Sequence, residues 1–347
     1  MIQKPTGSSV VNLLDVRHLK MYFPITKGLF GGVKGYVRAV DDVSFNIRRG
    51  ETLGLVGESG CGKTTVGRCI VRAYKPTAGE VQFLQPGGNT LDLAQAEGEM
   101  LRPLRKDVRM IFQDPYSSLN PRMTVYEIVS EVLRMNQMIS EAEIKERVQQ
   151  AIRRVGLRPE YIRRYPHAFS GGERQRIVIA RALVTEPRLI ISDEAVSALD
   201  VSIRAQILNL MEDLRREFNL TYLFVSHDLS VVRYICDRVV VMYVGQVVES
   251  APVNKLFTTP KHPYTEALMS AVPIQNPLQR SASQRIRLEG DVADPSNPPG
   301  GCYFHPRCRF ARERCQTERP ALRVLDDDHL VACHFAEELQ LRGAVMG

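Results

Sequence analysis

Residues Gly57-Glu58-Ser59-Gly60-Cys61-Gly62-Lys63-Thr64 constrain this chain more than any others. They fit the spacing G-x-x-x-x-G-K-[ST], follow an apolar run at 52–56, and open a helical pattern at 65–74. A glycine-rich turn between strand and helix lets successive backbone N–H groups point at phosphate oxygens, and the helix adds the positive end of its dipole. The spacing predicts that Lys63 reaches the β- and γ-phosphates of a nucleotide and that the Thr64 hydroxyl ligates the accompanying magnesium ion. Gly57, Ser59, Gly60, Cys61, Gly62, Lys63, Thr64 and Thr65 form the candidate nucleotide-contacting set. An ordinary glycine-rich turn is the competing reading, and the strand and helix flanks disfavour it.

The chain has 347 residues, 44% hydrophobic and 24% charged, which is the make-up of a soluble globular protein with material for two domains. Its apolar runs are short, as at 239–244, and none approaches the roughly 18 residues a membrane span needs. Residues 1–11 lack the apolar centre of a signal peptide. A cytosolic location is therefore expected, with the seven cysteines reduced unless they bind metal. A net charge of +7 suits an acidic partner such as nucleic acid or an anionic membrane, yet the arginines are scattered and form no dense basic block.

In chain order, residues 13–23 and 37–47 are expected as strands flanking a glycine-rich excursion at 27–35. Tyr22 or Phe23 could set a ring against a nucleotide base, or could simply be core. A turn at 77 leads into a strand ending at 83, and a buried strand is expected at 108–112. Gln113 ends that strand, where it can contact an ion or a water or merely be solvated. From 114 to 169 the pattern turns helical, with a capping box at Ser140–Glu143, a stripe of Ile144, Val148, Ile152 and Val155, and Gly156 closing the helix. Ser170-Gly171-Gly172-Glu173 precedes an apolar-periodic helix at 177–183, which makes it either a second anion site or a plain N-cap. The apolar run 188–192 ends in Asp193 and Glu194, candidates for holding magnesium and for deprotonating the attacking water. A third apolar strand, 222–225, ends at Ser226-His227-Asp228, which is expected at the same sheet edge as the loop.

Together these residues resemble the ATPase subunits of ATP-binding cassette transporters. Gly57–Thr64 resembles the Walker A loop, Gln113 the Q-loop residue, Ser170–Glu173 the signature, 189–194 the Walker B strand, Ser197-Ala198-Leu199-Asp200 the D-loop, and His227 the switch histidine. Six motifs occur in family order over about 250 residues. The resemblance implies an α/β fold: a phosphate-loop ATPase core with a mixed sheet, an inserted helical subdomain, and a small irregular cysteine-rich C-terminal extension. It further implies ATP sandwiched between one subunit's Walker A loop and its partner's signature, so Ser170, Gly171, Gly172 and Glu173, with Asp200 nearby, would serve a shared nucleotide. Glu194 would be the general base, with His227 and Gln113 completing the catalytic set. Thr64, Gln113 and Asp193 would surround magnesium, and Tyr22 would stack on adenine. Two departures stand out: Glu173 replaces the more usual Gln, and Ala195 replaces the proline that usually follows the Walker B glutamate.

His262-Pro263-Tyr264-Thr265 and the Pro-, Ser- and Asn-rich stretch after it, including Pro273, Pro277, Pro295, Pro298 and Pro299, resemble the ending of oligopeptide and dipeptide importer ATPases. Cys302, Cys308, Cys315 and Cys333 follow with the spacing C-x5-C-x6-C-x17-C, and His305 and His334 lie nearby. Four thiolates suit a zinc ion or an iron–sulfur cluster. The absence of tight C-x2-C pairs favours the cluster, and this segment resembles the family's 4Fe-4S-binding segment. Zinc and unmetallated thiols are the alternatives. Cys61, Cys69 and Cys236 read as small packing residues.

The expected domains are an ATPase unit at 1–265, with helices over about 114–169, and an extension at 266–347. The resulting expectation is a peripheral ATPase, at the cytoplasmic face of the cell membrane, of a di- or oligopeptide importer. Its expected partners are a second ATPase subunit, a paralogue rather than a second copy, two transmembrane permeases, and an extracellular peptide-binding protein reached through them, with no nucleic acid. The alternative is a soluble cassette ATPase acting on nucleic acid or ribosomes. A third reading makes the cysteine segment a redox or iron sensor.

Overall fold

The computed structural model describes residues 11–26, 32–114, 118–136, 139–272 and 286–344. Much of the expected excursion at 27–35, together with Pro273 and Pro277, lies outside them. Strands β1 (Asn12–Thr26), β2 (Val33–Arg48), β4 (Ala78–Leu84) and β5 (Thr90–Asp92) form an antiparallel sheet in the order β2-β1-β4-β5. Leu14, Val16, Val40, Val43, Val81 and Phe83 form its buried face.

The central sheet has eight strands. Its parallel part runs through β9 (Arg238–Tyr243), β3 (Thr52–Val56), β8 (Thr221–Val225), β7 (Leu189–Asp193) and β6 (Val108–Ile111). Every residue of β3, β7, β8 and β9 is buried, which is why they read in the sequence as short, mainly apolar runs. The antiparallel part adds β10 (Gln246–Pro252), β12 (His329–Val331) and β11 (Arg323–Asp326). The C-terminal segment thus extends the main sheet with two short strands. A buried carboxylate fixes the join: Glu249 accepts hydrogen bonds from His329 Nε2 at 2.7 Å and from the backbone N–H groups of Lys261 and His262.

Helix α1 (Lys63–Ile70) follows β3, and α2 (Leu101–Asp107) leads into β6. Helices α3 (Val125–Asn136) and α4 (Glu141–Arg154) lie between β6 and β7 in the chain. Ser140 Oγ accepts the Glu143 N–H at 3.2 Å, the stripe Ile144, Val148, Ile152 and Val155 is buried, and Gly156 takes a φ of 75° just past the helix end. The next helix, α5 (Gly171–Leu183), starts six residues before the apolar run at Ile177, because Ser170 and Glu173 cap each other there. Helix α6 (Val201–Phe218) follows β7, and α7 (Leu229–Ile235) follows β8. Helices α8 (Val253–Thr258), α9 (Pro263–Ser270) and α10 (Glu313–Thr317) complete the chain. The strand expected at 108–112 stops at Ile111, and Phe112 is exposed. Among the described residues, no helix is long and apolar enough to cross a membrane.

Candidate functional site

Because β3, β8, β7 and β6 are parallel neighbours, their C-terminal ends share one edge of the sheet. That edge brings together the glycine loop after β3, His227 after β8, Asp193 and Glu194 at the end of β7, and Gln113 just past β6. Ligands of open α/β sheets collect at such an edge.

The loop depends on glycine at two tight points. A Cβ on Gly62, whose φ is 103°, would lie 2.1 Å from the Ala39 carbonyl oxygen, and one on Gly57 would lie 2.2 Å from that of Met242. Only a residue without a side chain permits this close approach. The Lys63 ammonium is buried and donates to the carbonyls of Gly57 at 2.8 Å and Glu58 at 2.9 Å, so it is folded over the loop. Ser59 and Gly60 are exposed, Gly62, Thr64 and Thr65 are half-buried, and Cys61 is buried.

The Thr64 hydroxyl donates to Asp193 Oδ1 at 3.0 Å, which joins helix α1 to the end of β7. Burial raises the Asp193 carboxyl above the usual range, with the Thr64 bond opposing that shift. A hydroxyl and a buried carboxylate side by side are a donor set that suits a hard cation such as magnesium. Glu194 has a φ of 50°, a left-handed conformation uncommon outside glycine. Its carboxylate accepts from Gln113 Nε2 at 2.9 Å and lies 3.1 Å from His227 Nδ1, while its carbonyl accepts from the Ser197 N–H and hydroxyl. These contacts fix the turn at which Ala195 stands in place of proline.

At the start of α5, the Glu173 carboxylate accepts from the Ser170 N–H at 2.9 Å and the Ser170 hydroxyl at 2.8 Å, and these bonds hold its pKa below the usual range. Glu173 thereby acts as a helix cap. Gly171 opens the helix, and Gly172 is buried against α6, where a Cβ would sit 2.7 Å from Ile203 Cγ2. Asp200 is the N-cap residue of α6. On the antiparallel sheet, the Tyr22 hydroxyl donates to Asp41, whereas Phe23 packs edge-on against Tyr74 with ring centres 5.4 Å apart.

Cys61, Cys69 and Cys236 are buried packing residues, as expected. Cys302, Cys308, Cys315 and Cys333 line one pocket together with His262, Phe304, His305, His334 and Phe335. Burial pushes the Cys302 thiol up to about 12 and the Cys308 thiol up to about 11. Among the described residues, no group of three or more His, Cys, Asp or Glu is arranged to hold a metal ion. Neither the cluster nor the zinc reading therefore gains a site from the geometry: the four cysteines share a pocket and no more. His305 and His334 are occupied instead by the backbone carbonyls of Cys302 and Glu318.

Sequence reasoning missed several residues around the loop. Arg307 grips the Glu58 carboxylate with two hydrogen bonds, of 2.8 and 3.1 Å, and the Tyr264 hydroxyl accepts the Glu58 N–H at 2.8 Å. Tyr303 donates to Asp41 at 2.8 Å. Nothing local in the sequence announces these pairs, whose partners are more than 200 positions apart.

Comparison with known proteins agrees with this geometry. Residues 40–197 match the family model of the ABC transporter, and residues 248–315 match that of the oligopeptide/dipeptide transporter C-terminal region. The chain is 50% identical over 331 residues to the oligopeptide transport ATP-binding protein AppF of Bacillus subtilis, covering 95% of this chain and 99% of that one. It is 48% identical over 321 residues to the dipeptide transport ATP-binding protein DppF of Haemophilus influenzae, covering 92% and 96%. Among solved structures, the ATP-binding cassette MJ0796 in a post-hydrolysis state with ADP and Pi superposes with a TM-score of 0.59 at 26% identity, covering 69% of this chain and 98% of that one. The chain belongs to the oligopeptide/dipeptide transporter family of ABC ATP-binding subunits, has their cassette fold, and is an ATPase.

Proposed function

We propose that this chain binds and hydrolyses ATP to drive a di- or oligopeptide importer, working from the cytoplasmic face of the membrane on separate permease subunits. The observation that carries this reading is the convergence of the glycine loop, Asp193, Glu194, Gln113 and His227 on one sheet edge, in a chain whose relatives bear peptide-transport names. Those relatives weigh against the nucleic-acid alternative. The partners are two permeases, a paralogous ATPase subunit, and an external peptide-binding protein reached through the permeases. Residues 1–265 act as the ATPase unit, with the helices over about 114–169 as its docking insert, and residues 266–347 as the extension.

In the mechanism, the loop N–H groups and Lys63 bind the phosphates, with Ser59 to Thr65 lining the site and Tyr22 on the base side. Thr64, Asp193 and Gln113 would hold magnesium, which would supply charge neutralisation at the phosphates. Glu194 orients the attacking water and takes its proton, steadied by Gln113, while His227 contacts the γ-phosphate. Ser170 to Glu173 and Asp200 serve the nucleotide held by the partner subunit, which makes hydrolysis depend on dimer closure.

The cysteine segment is read as the holder of a 4Fe-4S cluster. Support comes from the donor set alone: four thiols line one pocket, the number such a cluster takes. Such a cluster would supply a rigid crosslink among Cys302, Cys308, Cys315 and Cys333. Iron and acid-labile sulfide near about four each per chain, in protein purified without oxygen, would support this, and their absence would remove it.

The function itself is tested by uptake of a labelled dipeptide in cells lacking the chain. Restoration by the native chain, with none by Glu194→Gln, is the expected result. Unchanged uptake on deletion, together with salt-sensitive RNA binding by the purified protein, would overturn it.

A further inference from the structure

The residues that line the cysteine pocket alternate in the chain with residues that hold the nucleotide site. Tyr303 directly follows Cys302, Arg307 directly precedes Cys308, and Arg319 lies four positions after Cys315. The backbone ties these turns together: the Cys302 N–H donates to the Cys315 carbonyl at 2.8 Å, and the N–H groups of His305, Arg307 and Cys308 close successive tight turns. The segment is therefore a stiff knot.

Two arms leave this knot toward the nucleotide site. The first is Arg307, whose side chain is only 8% exposed and forms a fork with both oxygens of Glu58, the second residue of the glycine loop. Beside it, Tyr264 fixes the Glu58 N–H, and Tyr264, Tyr243 and Phe304 pack with ring centres 4.8 to 5.4 Å apart. Both the backbone and the side chain of Glu58 are thus held from outside the loop. The second arm meets Asp41, which is 4% exposed. Tyr303 and Tyr22 each donate to its carboxylate, and Arg319 donates to its backbone carbonyl at 2.9 Å. Asp41 thereby connects the knot to Tyr22.

We infer that the C-terminal knot is a positioning clamp for the nucleotide: Arg307 sets the glycine loop through Glu58, and Tyr303 and Arg319 set Tyr22 through Asp41. These are positioning residues, because none of them is among the groups assigned to phosphate, base or water. A fork between a nearly buried guanidinium and a carboxylate fixes orientation as well as distance, and lysine reproduces only a single point of that contact. Any change in how the four cysteines are held is then transmitted to nucleotide affinity through two rigid contacts. The inference rests on the reading that residues 57–64 bind the nucleotide phosphates.

The test is equilibrium binding of a fluorescent ATP analogue to the full-length chain, combined with steady-state ATPase kinetics and thermal unfolding without nucleotide. Arg307→Met and Glu58→Gln are each expected to weaken binding about tenfold, an ordinary size for coupling between sites, and the double variant should be no weaker than either single one. Arg307→Lys should recover part of the loss. KM should rise while kcat changes little, because the loop holds ground state and transition state alike. Tyr303→Phe should weaken binding in the same direction, and Arg314→Ala, which removes only an exposed pair with Glu318, should not. Lys63→Ala separates the two claims. If it abolishes binding while Arg307→Met and Arg307→Lys both stay within twofold of the native chain, the clamp is wrong and the loop assignment stands. If Lys63→Ala leaves binding intact, the loop assignment itself fails. A loss in Arg307→Met that merely tracks unfolding, and that Glu58→Gln does not share, would also overturn the clamp.

Discussion

Gln113 and Glu194 lie just past the ends of neighbouring parallel strands and are joined by a 2.9 Å hydrogen bond from the amide nitrogen to the carboxylate. With His227 Nδ1 3.1 Å from the other oxygen, the Glu194 carboxylate is held from two sides. Replacing Glu194 by Gln removes the proton acceptor and leaves the shape. Phosphate release should fall by about 10²- to 10⁴-fold, the usual contribution of a general base, while nucleotide binding stays within a few-fold. Gln113→Ala should lower turnover less, through a carboxylate left free to turn. Equal losses of binding and hydrolysis in Glu194→Gln would argue against its role as base.

Gly62 has no room for a methyl group, because the Ala39 carbonyl would sit 2.1 Å from its Cβ and its φ is 103°. Gly62→Ala must therefore move either β2 or the start of α1, and α1 begins at the next residue. Substitutions that force such a clash cost about 1–3 kcal/mol, so the unfolding midpoint should drop and nucleotide binding should be lost with it. Gly60→Ala is the comparison, since a Cβ there meets nothing within 4 Å, although its φ of 80° still strains a side chain. A Gly62→Ala protein that binds nucleotide normally would show that the loop is looser than these distances require.

How much of this was legible in the sequence depends on whether a residue's partner is local. The strands β3, β7 and β8 announced themselves because a parallel strand buried on both faces is apolar throughout, and the polar residues that end them, Asp193, Glu194 and His227, then stand at the ligand edge. Helix α4 was legible from its cap and stripe. Ser170–Glu173 is readable in the sequence as either an N-cap or an anion site, and the bonds of Glu173 to Ser170 show the cap. The grip of Arg307 on Glu58 and of Tyr303 on Asp41 was invisible, because it joins positions 249 and 262 apart with no period or motif between them. The two strands of the extension were hidden as well: β12 is three residues long, and its register is set by the buried contact of His329 with Glu249.

Arg238 and Glu51 form a buried ion pair, 7% and 6% exposed, with Nε to Oε1 at 2.7 Å. Arg238 also donates to the Asn46 carbonyl, so the pair ties β9 to the end of β2. Removing one partner leaves a charge without its counter-ion in the interior. Glu51→Gln and Arg238→Met should each destabilise by about 3–5 kcal/mol, and the double replacement by less than their sum. Urea unfolding of the four proteins checks this, and strict additivity would contradict a direct pairing.

Asp41 gives the pH dependence a definite sign. Burial would raise its carboxyl, but the hydrogen bonds from Tyr22 and Tyr303, the nearby Arg319 charge and the Gln246 amide together outweigh burial and hold its pKa below the usual aspartate range. In the unfolded chain the same carboxyl titrates near the ordinary value of about 3.9, so in the window just below it the unfolded state binds more protons than the folded one. Stability from this group is therefore complete above that value and is lost as the pH falls through the lowered folded value. Asp41→Asn removes the contribution. Its deficit relative to the native chain should be constant between about pH 5 and 7 and should shrink below about pH 4. Urea unfolding of both proteins across that range is the measurement, and a deficit that instead grows on acidification would show that Asp41 is not the charged acceptor for the two tyrosines.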